Sequence, residues 1–469
     1  MLNHLQQKVF NRVSDLDWKK VLRIQGMPGT GKSYVIGLAL ETLLLKNPDL
    51  NVAVVCPTWQ ALCNIKGKTP TSIRQKVTFK TIHGFLGQFP FNPSLGETVF
   101  SKGSLTKANE YDLIVIDEES MVNRGQSLLL LATRKETKIL TMGDDCQLSA
   151  VMAKGHVFHQ APGVETLELT ELVRNGGEIA RVSKLCRSQV YYPEKSSDNL
   201  LVHPDQESLV TEFIKKAKTA KSVTDVIYLA FTNARVDEVS ALVHKSLYGD
   251  KAYNVGQYLR MEQNTSIAYK GSNVKIIRIV NEDKEVCGLK AWEVLVANDH
   301  GDQATLTILD KEGEAFRLAR MEQLLELCKE ADPEMVGVYT QEYKGLETSF
   351  DAVANPLVLT INKSQGITVK YVFVDTKNVK STRGGKKKEL LCVGYSRASV
   401  ELNTVAIEVP FHKTEEYLNV REEYKSVMNK VGRRTKLFFK IYNTMPEADL
   451  RQHSGRVLFL NGCKKFGIK

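Results

Sequence analysis

Residues 23–34 read RIQGMPGTGKSY, and this stretch decides the fold. Gly26, four further residues, then Gly31-Lys32-Ser33 match the phosphate-loop pattern G-x-x-x-x-G-K-[ST]. Val21, Leu22 and Ile24 form an apolar run suited to a buried parallel strand. The following VIGLALETLLL has the length and apolar density of a helix. Strand, glycine loop and helix together turn backbone N–H groups and a helix N-terminus toward a phosphate. In such a loop Lys32 reaches the β- and γ-phosphates and the Ser33 hydroxyl holds Mg²⁺. The stretch predicts a nucleoside triphosphate site.

The bulk properties set the frame. At 469 residues the chain exceeds one ordinary core and calls for two to four domains. It is 42% hydrophobic and 25% charged, as soluble globular proteins are. No apolar run approaches a membrane span and the N-terminus lacks a signal-peptide pattern, so the expectation is a cytoplasmic protein without membrane contact. The eight cysteines form no C-x-x-C pair and read as reduced thiols. Lys and Arg outnumber Asp and Glu by 64 to 54, a net charge of +10, which favours a polyanionic partner such as nucleic acid.

Along the chain, 3–13 (NHLQQKVFNRV) reads as a short amphipathic helix. Gln6 or Gln7 offers an amide that suits an adenine edge, although spacing alone favours a surface glutamine. NVAVVC (51–56) is a buried strand ending at Pro57-Thr58, which puts Thr58 at the carboxyl edge where open α/β sheets bind ligands. TFKTIHGFL places Thr81 and His83 on a strand-to-helix loop, where a structural histidine is the ordinary reading. Residues 86–109, rich in Gly, Pro, Asn and Ser, read as a small hairpin insertion. Its Phe89, Phe91 and Phe100 either stack on bases or pin the hairpin down.

YDLIVIDEESM (111–121) delivers Asp117 and Glu118 to the edge of a buried strand. In a phosphate-loop enzyme the first carboxylate holds Mg²⁺ and the second acts as general base. TKILTMGDDCQL ends in Gly143-Asp144 and then Gln147, placed to sense a γ-phosphate. A second α/β block starts near 169, with VIYLA running into Phe231-Thr232-Asn233. Residues 255–350 switch to short alternating runs and read as a β-rich insertion with a helical piece at MEQLLELCKEAD. The second block resumes at Pro356, with Thr360, Lys363, Ser364, Gln365 and Gly366 on a turn. Arg397 follows at a loop start, where an arginine reaching across from a second domain stabilises γ-phosphate charge. On spacing alone a surface residue is the better reading of Arg397.

The succession GMPGTGKS, CPTWQAL, TIHGFL, IDEESM, GDDCQL, ELVRN, AFTNARVDEV, TINKSQGIT and VGYSRAS, in this order, resembles superfamily 1 helicases. Within them it resembles the RecD/Dda-like branch, superfamily 1B, which moves 5′ to 3′ on single-stranded DNA. The resemblance runs from Gln6 to Arg397. It implies two RecA-like parallel-sheet motor domains, with a β-hairpin insertion in the first and an SH3-like insertion in the second. The implied boundaries are 1–85 with 110–168, the pin at 86–109, 169–254 with 351–410, and the SH3-like part at 255–350; the basic, partly helical extension at 411–469 lies outside the shared core. It implies ATP and Mg²⁺ as cofactors. Gln6 would meet adenine, Gly26, Gly29, Thr30, Gly31, Lys32 and Ser33 the phosphates, and Ser33 and Asp117 the metal. Glu118 would be the base, Gln147 the sensor, Arg174 and Arg397 arginine fingers, and Gly366 a neighbour of the γ-phosphate. Thr58, Thr81, His83, Thr232, Asn233, Thr360 and Ser364 would line the DNA track, and one of Phe89, Phe91 and Phe100 would be the wedge. Asn362 stands where the family often carries His.

The function so implied is ATP-dependent 5′-to-3′ DNA unwinding by a monomer acting on single strands and duplex junctions, with a single-strand binding protein or replisome component as partner. The compact size resembles phage-encoded members, whose compartment is the host cytoplasm. The alternatives are an RNA-directed relative and an ATP-gated single-strand translocase that separates no strands.

Overall fold

A computed structural model describes residues 2–407 except 89, 95–96, 102, 106, 147–156, 174–176 and 382–385. In chain order the first half holds helix α1 (His4–Ser14), β1 (Val21–Gly26), α2 (Lys32–Lys46), β2 (Val52–Cys56), α3 (Trp59–Lys68), β3 (Val77–Thr81) and the short α4 (Ile82–Phe85). There follow β4 (Pro90–Ser94), β5 (Glu97–Phe100), β6 (Leu113–Ile116), α5 (Arg124–Leu131), β7 (Lys138–Gly143) and β8 (Glu165–Leu169). Six of these strands form one parallel sheet in the order β3-β2-β6-β7-β1-β8. Helices on both faces explain the continuous apolar runs: every residue of β1, β2 and β6 is buried. Val9, Val35, Leu40 and Ile65 pack on one face of the sheet, and Ile82, Phe85, Val122 and Phe158 on the other. The sheet's carboxyl edge, where β1, β2, β6 and β7 all end in turns, is thereby left open to polar chemistry.

The second half holds α6 (Gly177–Ser188), β9 (Leu200–His203), α7 (Gln206–Thr219), β10 (Val226–Ala230) and α8 (Asn233–Tyr248). Next come β11 (Tyr258–Met261), β12 (Asn273–Val286), β13 (Leu289–Ala297), β14 (Gln303–Ile308), α9 (Lys311–Glu330), α10 (Pro333–Thr348) and β15 (Val353–Ala354). The last elements are β16 (Val358–Thr360), β17 (Val369–Val374), α11 (Thr376–Lys380), α12 (Lys387–Tyr395) and β18 (Ala398–Val405). A second parallel sheet has the order β16-β10-β17-β18-β9. The α/β architecture with two parallel sheets is as the sequence predicts.

Two pieces depart from the parallel pattern. Strands β4 and β5 pair antiparallel as a hairpin, Phe91 opposite Val99, with an irregularity before the Ser94–Glu97 pair. The segment between α8 and β16 builds an antiparallel sheet, β14-β13-β12-β11-β15, whose core includes Leu259, Ile276, Val294 and Ile308. The helical piece expected there is larger than MEQLLELCKEAD: α9 and α10 run across 311–348 and pack on Leu289 and Ala291. Asp310 caps α9 by accepting the Gly313 N–H, which explains its start ten residues ahead of the expected run. A loop of this sheet meets the first half, where the Tyr269 ring stacks on Trp59 of α3 with centroids 3.6 Å apart.

The cysteines among the described residues are all free thiols, as expected. No helix among the described residues is long and apolar enough to cross a membrane.

Candidate nucleotide site and nucleic-acid edge

The phosphate loop is shaped by its glycines. A Cβ on Gly26 would lie 2.7 Å from the Leu169 carbonyl oxygen and 2.9 Å from Thr30 Oγ1, so β1 can approach β8 only without a side chain there. Gly29 and Gly31 take φ of 91° and 86°, the left-handed region that glycine enters without strain. Gly31 is the N-cap of α2 and provides no side-chain cap, leaving the helix's first N–H groups to an outside acceptor. Thr30 is fully buried and donates its hydroxyl to the Met27 carbonyl at 2.9 Å, so its side chain braces the loop and faces no phosphate. Gly26→Ala should cost about 1–3 kcal/mol, the range for overpacking. The expected readout is a lower thermal midpoint, and an unchanged midpoint would refute the close packing.

Lys32 Nζ donates to the Gly26 and Met27 carbonyls, the latter at 3.1 Å, which holds the ammonium over the loop. Opposite it, β6 ends at Asp117, whose Oδ2 accepts from Ser33 Oγ at 3.5 Å. Glu118 follows at φ 55°, ψ 50°, a left-handed conformation that costs a non-glycine residue strain and is typical of functional turns. Its N–H donates to Asp117 Oδ1 at 3.0 Å. Burial pushes the Asp117 carboxyl up, against the pull of Lys32. Burial raises Glu118 too, helped by the Asp117 charge and opposed by Arg397 and Lys32. Desolvation lowers Lys32, with Glu118, Asp144 and Asp117 acting the other way. The three form a charge cluster on a cleft of about 290 Å³.

Both halves of the chain line that cleft. Gly29, Lys32, Ser33, Asp117 and Glu118 come from the first sheet, and Gly366, Thr368 and Arg397 from the second half. Gly366, at φ 79°, presents its carbonyl to Asn64 Nδ2 of α3. Arg397 corrects the surface reading: it is only 3% exposed. Its Nε donates to the Val393 carbonyl at 3.0 Å, Nη1 to Ile367 at 3.1 Å and Nη2 to Ser396 Oγ at 3.0 Å. Among the described residues no cluster of three or more His, Cys, Asp or Glu suits a metal. Ser33 and Asp117 supply two oxygens side by side, which fits Mg²⁺, an ion that keeps waters and takes the rest of its shell from phosphates.

Gln6 is a second correction. It is buried, its Oε1 accepts from the Asn3 N–H at 3.1 Å and its Nε2 donates to the Thr30 carbonyl at 3.0 Å. Its amide therefore caps α1 and buttresses the phosphate loop instead of facing an adenine.

Sequence reading also missed the polar support beneath the site. Arg23 and Gln25 sit two apart on β1 and point to the same face. Arg23 Nη2 pairs with Glu119 Oε1 at 2.7 Å, Gln25 donates to the same oxygen, and Asp145 accepts from Arg23 at 3.2 Å. Glu119 is 1% exposed, so its carboxylate is compensated almost wholly by these partners, and it locks the turn that carries Asp117 and Glu118. The visible signal was Arg and Gln alternating inside an apolar strand. Buried Asp144 accepts from Arg187 Nη1 of α6 at 2.6 Å, an ion pair that ties β7's end to the second half.

At the carboxyl edges of the sheets, Thr58, Thr81 and Thr232 are helix N-caps. Their hydroxyls accept N–H bonds from Ala61 (3.2 Å), Gly84 (3.4 Å) and Arg235 (3.3 Å). Asn233 is exposed in the first turn of α8. Thr360 is mostly buried and accepts from the Lys363 N–H at 3.3 Å. Ser364 is fully buried and donates to the Ile361 carbonyl at 2.7 Å, so it cannot touch DNA from this position, a third correction. Phe100 at the hairpin base is 49% exposed and stacks on His83, centroids 4.2 Å apart. Phe89, Gln147 and Arg174 lie outside the described residues, and so does the Phe91 side chain.

Burial lowers the His83 pKa from its ordinary 6.5. The folded protein therefore resists a proton that the unfolded chain takes up below about pH 6.5, and stability falls as the pH drops through that range. The thermal midpoint of the native protein should fall more steeply from about pH 7 to about pH 5 than that of His83→Phe. Parallel slopes would overturn the prediction.

A family profile described as an AAA domain matches residues 1–190. The chain is 28% identical over 167 residues to the RecD subunit of the RecBCD enzyme of Mycolicibacterium smegmatis, which covers 32% of this chain and 29% of that one. It is 28% identical over 178 residues to the ATP-dependent RecD2 DNA helicase of Deinococcus radiodurans, covering 37% and 22%. The chain thus spans less than a third of the length of these curated relatives. The fold is similar to that of the Bacteroides Pif1 helicase in complex with ADP-AlF3 and single-stranded DNA, with a TM-score of 0.52, 17% identity, and 91% and 98% of the two chains covered. A structure of two coordinating Pif1 helicases at forked double-stranded DNA gives a TM-score of 0.51 at 17% identity, covering 91% of this chain and 97% of that one. With nine motifs in order along one chain and a fold similar to that of the Pif1 helicases, the chain resembles the RecD-like helicases of superfamily 1B.

Proposed function

We propose that the chain is an ATP-driven motor that moves 5′ to 3′ on single-stranded DNA and separates duplex strands. The carrying observation is the cleft itself, where Lys32, Ser33, Asp117 and Glu118 face Arg397 and Gly366 from the other half of the chain. ATP binds there with its phosphates on Lys32 and the loop N–H groups, and Ser33 with Asp117 holds Mg²⁺. Glu118 takes the proton of the attacking water, and its raised pKa brings it closer to the working pH. Arg397 acts as a finger by exchanging its carbonyl partners for the γ-phosphate as the halves close, with Arg174 and Gln147 in the roles that the family pattern implies. Closure moves the DNA grips at the two carboxyl edges relative to one another. On this reading the two parallel sheets are the two motor domains, the hairpin divides the strands, and the antiparallel sheet is an accessory domain. The relatives named for DNA helicase activity and the +10 net charge support DNA as the polyanion.

Two partial duplexes test the reading, one with a 5′ single-stranded tail and one with a 3′ tail, given ATP and Mg²⁺. Unwinding of the 5′-tailed substrate alone is expected. Unwinding of the 3′-tailed substrate alone would overturn the direction, and ATP hydrolysis without any unwinding would overturn strand separation.

A further inference from the structure

Behind the nucleotide cleft lies a second cavity, of about 230 Å³, between α3 and the second half of the chain. Asn64 and Thr368 wall both, so the two are neighbours. The second cavity reaches Val226, Leu359 and Val369, toward the amino ends of β10 and β17, away from the carboxyl edge that carries Thr232. On its wall stands Arg260 of β11, whose side chain is only 10% exposed. Among the described residues its Nε has no hydrogen-bond partner, and its nearest counter-charge is Glu262 Oε1 at 3.8 Å. That carboxylate is already engaged by Lys363 Nζ at 2.9 Å. Two cations thus share one anion, leaving a net charge of one positive unit. A buried guanidinium without hydrogen-bonded oxygen is costly, and an anion is what offsets the cost.

The rest of the wall suits a small tetrahedral oxyanion. Asn273 is the cross-strand partner of Arg260 on β12. Gln60 approaches from α3, its Oε1 and Arg260 Nη2 flanking Gly271, where a Cβ would come within 3.1 Å of the guanidinium. Glycine at 271 therefore keeps open the space in front of Arg260. The guanidinium offers a planar fork, and Asn273 and Gln60 line the wall with amides, the Gln60 amide donating N–H to an oxyanion once it turns its nitrogen inward in place of Oε1. The volume is several times the about 30 Å³ of one water, room enough for a phosphate with its hydration.

We propose that the Arg260 cavity is a phosphate-holding site that receives the inorganic phosphate released in the neighbouring nucleotide cleft, past Asn64 and Thr368. This rests on the ATPase reading for the source of the phosphate and on the cavity alone for its binding. Held there, the phosphate occupies the seam between α3 and the second half, so its departure and the reopening of the cleft are coupled.

The test has two arms on the full chain. In the first, inorganic phosphate is titrated calorimetrically into Lys32→Ala, which removes the main phosphate-binding cation of the nucleotide cleft, and into the same variant carrying Arg260→Met. Arg260→Met should weaken phosphate binding at least about tenfold, the effect of losing one charge-assisted contact of about 1.5–3 kcal/mol. Gln60→Ala, on the opposite wall, should weaken it by a smaller factor. Equal binding in all three overturns the site. In the second arm, single-turnover hydrolysis is followed with a fluorescent phosphate sensor in proteins with Lys32 intact. Arg260→Met should let phosphate appear in solution sooner after an unchanged cleavage step. Unchanged release alongside weakened binding would mean that the site fills from solution, and would overturn the cleft as its source. The titration needs no turnover, so a protein that fails to hydrolyse ATP refutes the proposed function while the binding arm still decides the site.

Discussion

Lys32→Ala should lower ATP turnover by about 10²–10³-fold or more, the loss that follows removal of one preorganised electrostatic donor. Two carbonyls hold the Lys32 ammonium over the loop before any nucleotide arrives, so its charge needs no reorganisation when phosphate negativity develops. Alanine leaves those carbonyls and the Asp117 and Glu118 carboxylates facing the phosphates without a cation, which repels the substrate as well as the transition state. Single-strand binding should survive, because the threonine-capped edges lie on other turns of the sheets. Steady-state ATPase assays with single-stranded DNA, beside fluorescence anisotropy of a labelled oligonucleotide, separate the two effects. Full turnover in the variant would remove Lys32 from the site.

Glu118→Gln should have an effect of similar size on turnover and the opposite effect on nucleotide retention. A general base contributes about 10²–10⁴-fold, and glutamine keeps the shape while losing the proton acceptor. The substitution also removes one of two adjacent carboxylates that burial holds in mutual repulsion. ATP should therefore bind at least as well while the hydrolytic step stalls. A fluorescent ATP analogue measures retention, and rapid-quench single turnover measures cleavage. A variant that loses binding and cleavage together would make Glu118 a structural residue of the strained turn, and unimpaired cleavage would move the base elsewhere.

The parts of this protein legible in its sequence are those that the local backbone determines. Gly29 and Gly31 must enter left-handed φ, a loop of that kind between an apolar strand and a helix can point only N–H groups outward, and Thr58 and Thr232 stop strands by capping helices. Such requirements act over a few residues, so residue type and spacing reveal them. The two parallel sheets were readable for the same reason, through continuous apolar runs ending in polar turns.

Tertiary structure alone decided how side chains with several possible partners were spent. Gln6 reads on spacing as a surface amide, but a loop 24 residues away offers its carbonyl to it. Arg397 reads as exposed until Val393, Ile367 and Ser396 converge on it, and Ser364 turns inward to Ile361. The Arg23–Glu119 pair joins residues almost a hundred positions apart, and the isolation of Arg260 exists only because α3 and the antiparallel sheet meet around it. A polar side chain goes to whichever partner best compensates its desolvation, and in these cases that partner comes from a distant part of the chain.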